Sequence, residues 1–146
     1  MASESGQNFS NHAKFTPGYH FVTAPLGIIY FVWAVRRLIA MPGADSLFTL
    51  IGAMAIIGAI AYARTSPLVT QDRIIRLEEQ LRLTRLLPAD LVARVNDIRP
   101  GHLIALRFAP DAEVTELVRK MLTDPSITPK AIKAQIKNWK GDYLRV

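Results

Sequence analysis

Phe21-Val-Thr-Ala-Pro-Leu-Gly-Ile-Ile-Tyr-Phe-Val-Trp-Ala-Val35 and Leu47-Phe-Thr-Leu-Ile-Gly-Ala-Met-Ala-Ile-Ile-Gly-Ala-Ile-Ala-Tyr-Ala63 decide the fold. Neither run carries a charge. At 15 and 17 residues they approach the roughly 17–25 that a helix needs to cross a bilayer. The competing assignment, a pair of buried helices in a soluble core, fits the flanks less well. Tyr19, Tyr30 and Trp33 border the first run, and Phe48 and Tyr62 border the second, as in an interfacial aromatic belt. Arg36 and Arg37 can snorkel outward from the end of the first span. Met41-Pro-Gly-Ala-Asp-Ser46 supplies a turn. A transmembrane hairpin, about 20–36 and 46–63, is therefore expected within residues 19–63. Residues 1–18 precede it as a cytoplasmic segment.

Small residues on these runs allow close helix contact where lipid supplies no hydrophobic drive. Gly27 and Ala34 offer it on the first helix. Gly52, Ala55, Ala59 and Ala63 offer it on the second. They are expected to pack the hairpin against itself, with Gly58 and part of the alanine row free for another protein's helix. Lys14, Arg64, Arg73 and Arg76 outnumber Arg36 and Arg37, so the positive-inside rule places both termini in the cytoplasm. No A-x-A-like cleavage site follows the first run, so no signal peptide is expected.

Residues 64–146 carry 15 Lys or Arg against 10 Asp or Glu and read as a small basic helical domain. Ser66-Pro67 is expected to open its first helix, running to Leu87. Ile74, Leu77 and Leu81 make an apolar stripe there, to be covered by later helices or by a partner. Asp72 with Arg76 and Glu78 with Arg82 are i,i+4 pairs of favourable order. Ala89–Ile98 reads as a short amphipathic helix. His102–Phe108 reads as helix or strand, and without a second strand helix is preferred. Asp111 is the expected N-cap of a helix to about Thr123. Thr128-Pro129 opens a helix over Lys130–Trp139. The fold class is all-α: a transmembrane two-helix hairpin followed by a small helical cytoplasmic domain.

The chain has no Cys, which excludes disulfides, thiolate metal sites and Cys nucleophiles. It has no phosphate-binding glycine loop and no G-x-S-x-G, so no enzymatic activity and no cofactor are expected. His12, His20 and His102 show no metal-pair spacing. His20, at the membrane border, is the one candidate axial ligand for haem or chlorophyll. An interfacial polar role is the stronger assignment, and His102 reads as structural. Asp111, Glu113 and Glu116 suit a helix N-terminus without any catalytic role. Arg73, Arg76, Lys130, Lys133 and Lys137 form a basic face. It suits solvent first, then anionic lipid or an acidic partner. Nucleic acid would need a broader patch and a reading motif.

Gln7-Asn-Phe-Ser-Asn-His12, Phe15-x-Pro17-x-Tyr19-His20, Gln71-Asp-Arg-Ile-Ile-Arg-Leu-Glu-Glu79, Leu103-Ile-Ala-Leu-Arg-Phe-Ala109 and Ile132-Lys133 with Trp139 resemble an uncharacterised bacterial family of two-helix membrane proteins. The Gln71–Glu79 block is the most specific part. The resemblance implies a bacterial inner-membrane location and no known activity. The expected role is a non-catalytic accessory subunit of a larger membrane complex, respiratory or photosynthetic assemblies being the first guess. A membrane-anchored adaptor or anionic-lipid sensor is the alternative.

Overall fold

The computed structural model describes residues 6–11 and 16–144. His12, Lys14 and Phe15 lie outside the described residues, as do the last two residues of the chain. All described elements are helical, with no strand among the described residues. A π-helical turn, Gly18–Thr23, leads into α1 (Ala24–Ala40). There follow α2 (Ala44–Leu86), α3 (Ala89–Val92), a 3-10 turn (Val95–Asp97), α4 (Pro100–Leu106), α5 (Asp111–Thr123) and α6 (Pro129–Gln135). His102–Leu106 is thus helix, with Pro100 at its start. The chain divides into two units, residues 14–69 and residues 70–145 joined by residues 1–13. The described residues 6–11 therefore belong with the later helices.

In the first unit, Gly18–Ala40 and α2 are both long and apolar enough to cross a membrane. The turn between α1 and α2 is closed by the buried Ser46, whose hydroxyl donates to Met41 O at 2.7 Å and Gly43 O at 2.9 Å. Arg36 and Arg37 lie in α1 and not in the connection. The Arg37 guanidinium sits 5.5 Å from the Trp33 ring centre, a cation–π contact within the last turns of the helix. Gly27, Ala34 and Ala53 are buried. Gly52 is half-buried, while Ala55, Ala59 and Ala63 are exposed. The hairpin therefore closes through Gly27, Ala34 and Ala53, and not through the Ala55–Ala59–Ala63 row. A Cβ on Gly27 would stand 2.7 Å from Ile60 Cδ1 and 3.3 Å from Ile57 Cδ1.

Ser66-Pro67 does not open a new helix, because Pro67 lies inside α2. Proline removes the N–H that would meet the Ala63 carbonyl and costs about 3 kcal/mol in a helix interior. Long helical runs on both sides outweigh that cost. Thr65 Oγ1 donates to Ala61 O at 3.0 Å.

In the second unit, Leu83, Leu103, Leu106, Phe108, Val114, Val118 and Ile132 are the large side chains with essentially no exposure. Two expected helices are shorter than their apolar spacing implies. Ala89–Ile98 breaks at Arg94 (φ −107°, ψ 6°). Arg99, which precedes Pro100, must be extended, and it is (φ −62°, ψ 144°). Leu91, Val95 and Ile98 are buried all the same. The helix over Lys130–Trp139 ends at Gln135, and Ile136 is extended (φ −71°, ψ 119°). Lys130 and Lys133 are helical, whereas Lys137 and Lys140 lie beyond the helix. Thr128 caps it as expected, accepting from Ala131 N at 3.2 Å.

Gly27→Leu should lower the thermal midpoint of the full chain in detergent, since Ile57 and Ile60 must retreat. Gly58→Leu should leave it unchanged, because nothing lies within 4 Å of a Cβ there. Equal effects in a melting assay would refute the assigned contact face.

Candidate functional site

The distal part of α2 buries Ile75, Glu79, Leu83 and Leu87. Ile74, Leu77 and Leu81 point elsewhere and are about half exposed, at 53%, 58% and 51%. The stripe is therefore not core. What the core face requires is a partner for Glu79, and Arg82, one turn on, provides it. Its Nη1 lies 3.1 Å from Glu79 Oε2, its Nη2 2.7 Å from Ala109 O and its Nε 2.9 Å from Asp111 Oδ1. The guanidinium fork thus meets two carboxylates and the carbonyl that ends the α4–α5 turn. This replaces the expected Glu78–Arg82 pair. It also takes Asp111 away from capping, so Pro110 stands at the N-cap of α5 with no side-chain bond. Asp72 and Arg76 make no ion pair with each other.

Phe108, in that α4–α5 turn, is fully buried. Trp139 stacks on it with ring centres 4.5 Å apart and planes 20° apart. Lys133 Nζ lies 5.2 Å from the Phe108 ring centre, and Phe9 meets the Trp139 ring edge-on at 6.5 Å. Lys140 N donates to Phe108 O at 2.8 Å. Next in line, Arg107 Nε lies 3.0 Å from Asp142 Oδ2, and Asp142 N donates to Gln7 Oε1 at 2.7 Å. Glu113 holds the start of the same segment. Its carboxylate accepts from Lys137 N and Asn138 N, both at 2.9 Å, and these bonds end α6 where they do. The Phe108–Trp139 stack, the Gln7–Asp142 contact and the Glu113 clamp were not foreseen from periodicity. The available signal was the resemblance itself, since Gln7, Phe9, Glu79, Phe108, Lys133 and Trp139 all come from its blocks.

The chemistry of this cluster is that of a clasp. Burial pushes the Glu79 carboxyl above its usual range, and the opposing pull of Arg82 and Lys140 does not reverse it. Hydrogen bonds from Lys137 and Asn138 hold Glu113 below the usual range. A bond from Lys120 does so for Glu116, and bonds from Ser126 do so for Asp124. The contacts of Arg82 with Ala109 and Asp111, of Glu113 with Lys137 and Asn138, and of Arg107 with Asp142 join separate parts of the fold, and the three acids of α5 are dispersed among separate partners.

The other candidates lie apart from the clasp. His20 is half-buried and uses Nδ1 against the Thr16 backbone, with Thr16 N at 3.1 Å and Thr16 O at 3.0 Å. Its ring meets Tyr19 edge-on at 5.0 Å. His102 is buried against Ile127 O at 2.8 Å, beside a cleft of about 230 Å³ between Arg94, Arg99 and Met121. Among the described residues no group of three or more His, Asp or Glu could hold a metal. Of the basic residues, Arg73, Lys130 and Lys137 are exposed, while Arg76 and Lys133 are half-buried.

The chain belongs to a family of unknown function (DUF6526), whose model matches residues 1–146. The match covers the apolar hairpin and the clasp alike. No curated protein and no solved structure matches the chain.

Removing Arg82 leaves a buried carboxylate alone. Arg82→Ala should cost about 3–5 kcal/mol in thermal or chemical unfolding. Arg94→Ala, which breaks an exposed pair with Asp97, should cost under about 1 kcal/mol. Comparable losses would show that the Arg82 network does not anchor the core.

The pH dependence has opposing parts. Because the folded pKa of Glu79 is raised, its contribution is complete below the ordinary Glu value and is lost as pH rises through the raised one. Glu113, with a lowered pKa, contributes above the ordinary range, and that contribution is lost as pH falls. Glu79→Gln should therefore flatten the decline in stability from the ordinary Glu range upward. Its stability relative to wild type should grow with pH in that window. Parallel pH profiles for the two proteins would overturn the assignment.

Proposed function

We propose that this protein is a non-catalytic accessory subunit anchored in the bacterial inner membrane and packed against a larger complex. Respiratory and photosynthetic assemblies are the first to search. Surface chemistry supports the reading. Only 11% of each apolar span window is buried within the protein. Phe21, Ile39, Phe48 and Tyr62 are 70–77% exposed. Apolar surface of this extent needs cover that water cannot give, and a bilayer provides it. The exposed Ala55, Ala59 and Ala63 then present a small-residue row on which a neighbouring transmembrane helix could lie.

The cation balance puts both ends of the hairpin in the cytoplasm, with the short Met41–Gly43 turn outside. The adaptor or anionic-lipid-sensor alternative draws on the exposed Arg73, Lys130 and Lys137. No enzymatic step enters either account.

Membrane anchoring predicts that the chain stays in the pellet after alkaline carbonate washing. An alkaline phosphatase fusion at Gly43 should be active, and one at the C-terminus inactive. Recovery in the carbonate supernatant would refute anchoring, and activity at the C-terminus would reverse the orientation. Purification in mild detergent with mass spectrometry should bring down integral membrane proteins in fixed ratio. A species composed of this chain alone would refute the accessory-subunit role.

A further inference from the structure

We infer that the α2 face formed by Thr70, Ile74, Leu77, Leu81 and Thr84 pairs with the same face of a second copy of this chain, as a short parallel coiled coil. The direction and the strength of pairing rest on the membrane-anchored reading above.

Three observations converge. The first is exposure: Ile74, Leu77 and Leu81 are each about half exposed, although the same helix buries Ile75 and Leu83. The second is spacing. Positions 70, 74, 77, 81 and 84 alternate steps of four and three, the 3.5-residue repeat of a supercoiled seam. In that register Ile74 and Leu81 occupy a positions, and Thr70, Leu77 and Thr84 occupy d positions. At the centre of the seam, Ile74 at a followed by Leu77 at d is the β-branched-then-Leu pattern that favours two parallel strands.

The third is charge. Arg73 falls at g and Glu78 at the following e. In a parallel pair, g of one helix faces the e five residues onward in the other. Arg73 then faces Glu78 of the second copy, and the two-fold axis repeats the pair on the other side of Leu77. Both residues are exposed, and neither makes an ion pair among the described residues. The next g and e positions, Gln80 and Arg85, bring no repulsion. Antiparallel pairing would set g against g and e against e and lose the match. Two copies rooted in one bilayer also enter this helix in the same direction. Two heptads are marginal in water, but confinement to a membrane raises the effective concentration.

The sequence has no Cys, so single cysteines report contact directly. The full chain in native membranes would carry Ile74→Cys, Leu77→Cys or, as an outward-facing control, Asp72→Cys, and would be treated with a mild oxidant. Dimers are expected from the first two, and monomer from Asp72→Cys. Arg73→Glu should weaken cross-linking at Leu77→Cys by roughly five- to tenfold at low salt. Adding Glu78→Arg should restore it, which neither general misfolding nor docking on a different protein would produce. Absence of dimer, equal cross-linking at Asp72→Cys, capture of a different chain at Leu77→Cys, or no rescue by the double reversal would each overturn the pairing. Carbonate extraction of the same membranes separates a failure of pairing from a failure of anchoring.

Discussion

One guanidinium organises the helical unit. Arg82 reaches Glu79 on its own helix, the Ala109 carbonyl at the end of the α4–α5 turn and Asp111 at the start of α5. An arginine can do this because it offers five donors in a fixed plane, whereas a lysine in the same place would leave at least one of these acceptors poorly met. Burying Glu79 without it would strand a charge, and hydrophobic contact alone would not choose which face of α2 turns inward. The pair is thus less a source of net stability than a device that selects one packing.

From that turn the remaining order propagates outward by contact. Holding Ala109 fixes Phe108, and Phe108 gives Trp139 a flat surface to stack on. The stack, with the bond from Lys140 N to Phe108 O, keeps the last segment extended where helical spacing alone would have continued α6. The extended segment then delivers Asp142 to Arg107 and to Gln7. Gln7 and Asp142, far apart in sequence, are thereby tied to the helical unit. Four of the five blocks that carry the family resemblance, far apart along the chain, contribute residues to this one path; the block around Tyr19 and His20 belongs to the other unit.

The elements legible in the sequence were those set by local chemistry. Charge-free runs marked the two apolar helices, Pro100 marked the start of α4, and Thr128-Pro129 marked that of α6. The features that were not legible depend on partners distant in sequence. Gln135 ends α6 because Glu113, more than twenty residues earlier, takes the N–H groups of Lys137 and Asn138. Asp111 has the chemistry of a cap, but Arg82 provides a better-buried partner. Pro67 signals a boundary by local rules, yet helix on both sides carries through it. The alanine row from Ala55 to Ala63 shows only that a close contact is sterically possible; the buried alanine of α2 is Ala53, and the close approach to α1 is that of Ile57 and Ile60 to Gly27.

The choice between the two faces of distal α2 shows most clearly why periodicity falls short. Ile74, Leu77 and Leu81 form a stripe with no charge in it, while Ile75, Glu79 and Leu83 form a parallel stripe about one residue around the helix, with a carboxylate at its centre. A search for apolar spacing prefers the first, since a buried carboxylate is costly. The fold takes the second, because Arg82 and the α4–α5 turn give Glu79 what water would have given it. Once the charged face is turned inward, the uncharged face has to remain outside. Its composition of isoleucine and leucine between Arg73 and Glu78 then follows from a need other than folding, namely a surface that meets another helix.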